Sequence, residues 1–367
     1  MQIVHTLYAT AHGDLRFEHL SSGKRGVTGS EQALLFLAKA QAEAGHDVTC
    51  YMPVDKPTTT HGVKILDSAA AWPRYKKADT ADILISWLTA DPLRNAGPKP
   101  LKILNVQIND WWLNSYDFHK HVDVFITCSE AHRKYLLSCA GAPTESRFAI
   151  IPNGVDLRRF ADQKKRQEHK FVCLSSPDRG LHWLLYMWPD IRYRYPDAEL
   201  HVYYELEKWK QSVVAISAEI GNRARYIIEH TRYSGKHGVY FHGAVPPDEL
   251  AQEVMTCDLM LYPCDTVRFT EGFGSAVLEA CAAGTVPVIT DCDALGEVYS
   301  GSGAVVVPMR NDRTWTDRYL VTLFDLLDNR PEIDSRRGCV VNFAANYDWP
   351  KIIAQWDAVI DLAFTQR

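Results

Sequence analysis

The segment from 258 to 290 constrains this chain most. It reads as an apolar run of strand character (258–263), a glycine-bearing loop (270–274), a helix-period stretch (275–283) and a second apolar run (286–290). Where such a loop enters its helix, the first backbone N–H groups and the positive end of the helix dipole offer a seat for phosphate. Glu271 and Glu279 flank that junction with seven residues between them. A carboxylate two turns into the helix suits the vicinal hydroxyls of a ribose or hexose. A phosphate seat beside hydroxyl acceptors describes a nucleotide-sugar site.

The same alternation of short apolar runs with helical periodicity extends along the chain. Strand-like runs fall at 3–8, 48–51, 83–86, 103–106, 124–127 and 149–151, then at 171–174, 200–204, 239–241, 258–263, 286–290 and 304–307. This pattern predicts an α/β fold of parallel sheets flanked by helices. Between 157 and 170 the chain is polar and lacks apolar periodicity, so the expected domains are 1–157, joined by a C-terminal helix at about 349–367, and 158–348. A length of 367 residues accommodates two domains of ordinary size.

Bulk composition excludes several classes. A net charge of −5 gives no electrostatic reason to expect polyanion binding, and the run Lys164, Lys165, Arg166 reads as a solvated linker. The nine cysteines show no paired metal-ligand spacing, and Cys50, Cys173 and Cys281 sit in apolar contexts as small core residues. Met1 leads directly into a strand, and no apolar run approaches the roughly 18 residues of a membrane span. The expectation is a cytoplasmic protein, soluble or peripheral to a membrane. A nicotinamide-binding reading would need GxGxxG between a strand and a helix; GFGSAV and GSGAVV both lack the third glycine.

Several motifs recur in a specific order: GVTGSEQALLFLAKAQAEAGHDVTCY (26–51), CSEAHRKYLLSCAGAP (128–143), IIPNGVDLRRF (150–160), SSPDRGLHWLL (175–185), FHGAVPPDELAQEVMTCDLMLYPC (241–264), TEGFGSAVLEACAAG (270–284) and YDWPKIIAQWDAVI (347–360). Together they resemble retaining glycosyltransferases of the GT-B fold, in particular glycosyltransferase family 4, with the last glutamate-bearing motif similar to the family's Glu-x7-Glu signature. Residues 52–120 match poorly.

The resemblance implies two Rossmann-like domains facing a cleft, with the C-terminal helix crossing back to the first domain. It implies transfer of a sugar from a nucleotide-diphosphate sugar to an acceptor hydroxyl with retention, with no cofactor and no metal. Glu271 would contact the transferred sugar and Glu279 the ribose, while Gly272, Phe273, Gly274 and Ser275 line sugar and phosphate. Gly29, beside a capping box formed by Thr28 and Glu31, would lie against the donor phosphates across the cleft.

Arg179 occupies the family's lysine-glycine step and would clamp the diphosphate. The family's earlier arginine position falls near Leu174, so a second cation is missing or comes from elsewhere. Asp110 would orient or deprotonate the acceptor hydroxyl, although Asn109 stands where the family often carries histidine. Trp111, Trp112 and Tyr116 suit either sugar stacking or packing, and His119 and His121 complete no metal site. Implied acceptors are glycan, lipid-linked or other hydroxyls, with peripheral membrane contact. Nucleic acid is not expected, though a modified-base acceptor stays open. Rival readings are a sugar-nucleotide epimerase of the same fold and a binding protein that has lost catalysis.

Overall fold

Strands whose every residue is buried need cover on both faces, and here that cover is helical, as in parallel α/β sheets. The first unit comprises Met1–Leu20, Val27–Gly154 and Tyr347–Arg367. Its strands are β1 (Gln2–Thr6), β2 (Asp47–Met52), β3 (Thr58–Thr60), β4 (Val63–Asp67), β5 (Ile83–Trp87), β6 (Leu101–Asn105), β7 (Val124–Thr127) and β8 (Phe148–Ile150). They form one sheet in the order β3-β4-β2-β1-β5-β6-β7-β8, parallel except for the β3–β4 pair. The second unit, Ser21–Gly26 with Val155–Asn346, holds β9 (Lys170–Cys173), β10 (Glu199–Val202), β11 (Val239–Phe241), β12 (Leu259–Tyr262), β13 (Val286–Thr290) and β14 (Val305–Val307). Its sheet is wholly parallel, in the order β11-β10-β9-β12-β13-β14. The computed structural model describes all residues except 9–12, 23–25, 79, 112, 113, 115, 116, 144–146, 163, 214, 215, 311 and 313. Trp112 and Tyr116 therefore lie outside the described residues.

Two features differ from the sequence expectation. The units divide between Gly154 and Val155, three residues ahead of the expected 157/158. The cause is the turn Leu157–Phe160, which packs on helix Pro247–Thr256 and buries Phe160 in the second unit. Strands β3 and β4 were also absent from the expectation. They form an antiparallel hairpin across His61 and Gly62, whose φ values of 54° and 76° supply the left-handed pair such a tight turn needs.

Helix α1 (Gly29–Glu43) starts at the expected capping box: Thr28 Oγ1 accepts from Glu31 N, and Glu31 Oε2 accepts from Thr28 N at 2.9 Å. The C-terminal helix (Trp349–Thr365) packs on α1 within the first unit. Trp349 and Trp356 share its buried face, with Ile352, Ile353 and Ile360, and Trp349 stacks on Phe36 at 6.3 Å. Residues spaced by three, four and seven meet one side of a helix, which is why both indoles enter the same core.

A polar chain crosses this first core. Trp87 Nε1 donates to His5 Nδ1 at 3.1 Å, so His5 Nε2 carries the proton and donates to Gln41 Oε1 at 2.7 Å. Burial, opposed by the Gln41 hydrogen bond, lowers the His5 pKa from 6.5 to about 4. The unfolded chain therefore takes up a proton that the folded chain refuses. The His5 contribution is complete above the unfolded pKa and is lost as pH falls toward the folded value. That interval corresponds to about 3 kcal/mol. Urea unfolding at neutral and mildly acidic pH should show this loss in wild type and a smaller one in His5→Gln. An equal loss in both would place the acid sensitivity elsewhere.

Candidate active site

In the second sheet the chain steps outward from β9 to β10 and β11, then returns to β12 on the other side of β9. Open α/β sheets bind ligands beyond strand carboxyl ends at this kind of switch point. Ser175–Arg179 follows β9 and Glu271–Ser275 follows β12, so the reversal brings both segments to one place.

Glu271 is 6% exposed. Its Oε2 accepts from Tyr262 Oη at 2.6 Å and Arg179 Nη1 at 3.0 Å, with Ser175 Oγ 3.5 Å away. Ser175 Oγ also lies 2.8 Å from Tyr262 Oη. Among the described residues, Oε1 accepts no hydrogen bond. The backbone is anchored as firmly: Asp293 Oδ2 accepts from Thr270 N, Glu271 N and Thr266 Oγ1 at 2.8, 2.9 and 3.0 Å. Tyr262 and Asp293 were not singled out from sequence, because Tyr262 sits in the apolar strand of its motif, Asp293 lies outside the motifs, and both act through tertiary contact.

After Glu271 the loop turns into α2 (Ser275–Ala282) through Gly274, whose φ is +83°. A Cβ there would meet Leu295 Cδ2 at 2.6 Å and Tyr299 Cε2 at 3.2 Å, so glycine is required by conformation and by space. Tyr299 Oη donates to the Gly274 carbonyl at 2.7 Å, and Phe273 is buried beside that ring. Gly274, at the N-cap position of α2, makes no side-chain cap hydrogen bond. The helix N-terminus there keeps its attraction for an anion.

Glu279 stands in the second turn of α2. Its Oε1 accepts from Arg159 Nη1 at 2.7 Å. The Arg159 side chain is 6% exposed and is braced by Asp248 Oδ1 at 3.1 Å, the Pro247 carbonyl and the Phe160 ring. Arg159 is a further residue that sequence reasoning missed. It lies in the stretch read as linker, 120 positions from Glu279. The available signals were its place near the end of the motif IIPNGVDLRRF and the Arg158-Arg159 pair inside an otherwise apolar turn.

Arg179 closes the turn Pro177–Arg179. Asp178 Oδ1 accepts from Ser176 Oγ at 2.5 Å and Trp209 Nε1 at 3.0 Å, and Arg223 Nη1 donates to the Asp178 carbonyl at 3.0 Å. Gly180 lets this turn press on the end of β12, since a Cβ would sit 2.1 Å from the Pro263 carbonyl oxygen. Arg179 Nε is buried and has no hydrogen-bond partner among the described residues. Burial opposes the Arg179 charge, but the neighbouring Glu271 carboxylate outweighs it and holds the pKa above the ordinary arginine value. Leu174 is buried and brings no cation.

The other expected residues belong to the first unit. Gly29 opens α1 in an exposed position where a Cβ would meet nothing within 4 Å. Asp110 lies in the loop after β6, half-buried, and its charge adds to burial in raising the Cys139 pKa. Trp111 is core: 6% exposed, packed on Phe118 and Phe125, its Nε1 donating to the Leu136 carbonyl at 3.1 Å. Among the described residues no cluster of three or more His, Cys, Asp or Glu side chains is placed to hold a metal. No helix among them is long and apolar enough to cross a membrane.

Residues 168–325 match the family model described as Glycosyl transferases group 1. The chain is 26% identical over 251 residues to a phosphatidyl-myo-inositol mannosyltransferase of Mycolicibacterium smegmatis, covering 65% of this chain and 57% of that protein. It is 31% identical over 215 residues to a GDP-mannose:cellobiosyl-diphosphopolyprenol alpha-mannosyltransferase of Xanthomonas campestris, covering 58% of this chain and 52% of that protein. Both alignments thus span little more than half of the curated relatives. Sucrose-phosphate synthase from Thermosynechococcus elongatus superimposes over 100% of both chains with a TM-score of 0.69 at 14% identity, a likeness of fold. The architecture is that of GT-B glycosyltransferases, two Rossmann-like α/β units.

Proposed function

Starting from a second unit that carries the glycosyl transferases group 1 match, we propose that this chain moves a sugar from a nucleoside-diphosphate sugar to an acceptor hydroxyl, with retention of anomeric configuration. The state of Glu271 carries the reading. One carboxylate oxygen is held by Tyr262 and Arg179, while the other has no partner among the described residues. Such a carboxylate is oriented in advance and open to a sugar hydroxyl, which spares the reorganisation a mobile side chain would need.

The start of α2 and the Arg179 Nε, which has no hydrogen-bond partner among the described residues, are the groups for the diphosphate. Glu279, with Arg159 behind it, is the group for the ribose. A nucleoside diphosphate departs without protonation of a poor leaving group, so Glu271 and Glu279 need not act as an acid/base couple. With helix dipole and guanidinium available for the phosphates, transfer needs no metal. Gly29 and Asp110 enter this reading through the family resemblance alone, as does retention. Both relatives are named as mannosyltransferases and one as using GDP-mannose, which favours a mannosyl donor and a lipid-linked acceptor; a cytoplasmic location, soluble or peripheral to a membrane, is part of the same reading.

A thermal-shift screen of nucleotide sugars tests this. The cognate donor at about 100 times its Kd stabilises the second unit by about 2.7 kcal/mol. A stabilising donor should then release nucleoside diphosphate when an acceptor is supplied, in the presence of EDTA. No stabilisation by any nucleotide sugar would contradict the reading. Isomerisation of the donor without acceptor would replace it with an epimerase.

A further inference from the structure

Arg223 stands on the buried face of its helix, where apolar residues are the rule. That helix, Ala218–Thr231, starts at Ser217, whose Oγ accepts from Ile220 N at 3.2 Å, and it buries Ile220, Gly221, Ala224 and Ile227. Arg223 is buried with them, 8% exposed. A guanidinium taken out of water costs stability unless its N–H groups find acceptors. Here the four Nη hydrogens meet four acceptors. Nη1 donates to the Asp178 carbonyl at 3.0 Å and to the Asp265 carbonyl. Nη2 donates to Asp265 Oδ2 at 3.0 Å and to Glu219 Oε1 at 2.7 Å.

Three of these acceptors belong to the two segments that carry the candidate site. Asp178 directly precedes Arg179 in the turn after β9, and Asp265 follows β12 on the way to Glu271. Asp265 is fixed further: its Oδ2 accepts from Trp183 Nε1 at 2.7 Å, and its N–H donates to the Arg179 carbonyl at 3.1 Å. One planar group from a third element therefore joins the segment bearing Arg179 to the segment leading to Glu271.

We propose that Arg223 is a positioning residue for sugar transfer. It ties the Pro177–Arg179 turn to the loop after β12 and so sets the reach of Arg179 Nη1 to Glu271 Oε2, 3.0 Å. With its Nη groups spent on protein acceptors, Arg223 is not a second cation for the diphosphate. It acts through Arg179. Placement of such a donor is critical, since a displacement of about 1 Å costs roughly a hundredfold in rate. Lysine should not replace it, because an ammonium lacks the planar fork that spans both segments. The positioning role rests on the function proposed above; the tie itself does not.

Hydrogen exchange and steady-state kinetics on the full chain, with Arg223→Met and Arg223→Lys, test this. In both variants the amides of 175–180 and 265–271 should exchange faster while the rest of the second unit keeps its protection. That result is read by mass and needs no transfer activity. Arg223→Lys should melt closer to wild type than Arg223→Met, yet its kcat should fall roughly tenfold to a hundredfold with donor KM much less affected. The double variant Arg179→Ala/Arg223→Lys should be no slower than Arg179→Ala alone, because the two residues act as one unit. Unchanged exchange in both segments, or protection lost throughout the second unit, would overturn the tie. A wild-type kcat in Arg223→Lys, or losses that multiply in the double variant, would overturn the positioning role. A wild-type chain that transfers no sugar would remove that role together with the proposed function, and the exchange result would still decide the tie.

Discussion

Arg179→Ala is expected to lower kcat by roughly 10²–10³-fold, the loss typical of removing one preorganised donor from a developing negative charge. Its guanidinium is fixed by the Pro177–Arg179 turn and by Glu271 Oε2, and still has a buried Nε–H to offer. The substitution also leaves the Glu271 side chain, 8% exposed, without its cation. Some destabilisation will accompany the kinetic loss, and thermal melting of the variant separates the two. Arg179→Lys keeps the charge but not the planar fork, so it should fall between alanine and wild type. A near wild-type rate for Arg179→Ala would move leaving-group stabilisation to another cation.

Glu279→Ala and Glu271→Ala should fail differently. Loss of charged hydrogen bonds to a ribose, about 1.5–3 kcal/mol, weakens binding of free nucleoside diphosphate roughly tenfold to a hundredfold. Arg159 stays anchored to Asp248 and the Pro247 carbonyl when Glu279 is removed, so the variant should fold. Glu271→Ala should leave nucleoside diphosphate affinity near wild type and lower turnover, because contacts to the transferred sugar strengthen as positive charge develops at the anomeric carbon. Calorimetric titration with the nucleoside diphosphate decides this. Equal affinity in wild type and Glu279→Ala would contradict the assignment.

The parallel sheets were legible because buried strands leave short apolar runs and helices leave a longer period, both local properties. The hairpin Thr58–Thr60 and Val63–Asp67 escaped because three threonines on an edge strand carry no apolar signal. His61-Gly62 was the readable clue, a pair able to hold two left-handed residues. At the candidate site, Glu271, Glu279, Arg179 and Gly274 stand out because each belongs to a compact motif. Arg159 and Tyr262 lie inside motifs at positions that signal no role, and Asp293 lies outside them. Arg159 reaches Glu279 only once the turn after Asp156 docks on the second unit. Tyr262 looks like any residue of an apolar strand until its hydroxyl is seen 2.6 Å from Glu271. Asp293 accepts three hydrogen bonds from a loop more than twenty residues earlier. Long-range polar pairing has no sequence period, and it is what sets the geometry of this site.

The most direct measurement uses the donor that stabilises the chain most and follows its slow hydrolysis by NMR, with water as the acceptor. The account predicts that an α-linked donor first yields the α-anomer of the free sugar, with nucleoside diphosphate released in step, and that Glu271→Ala and Arg179→Ala both suppress the reaction. Initial release of the β-anomer, or an isomerised donor with no nucleoside diphosphate released, would contradict it.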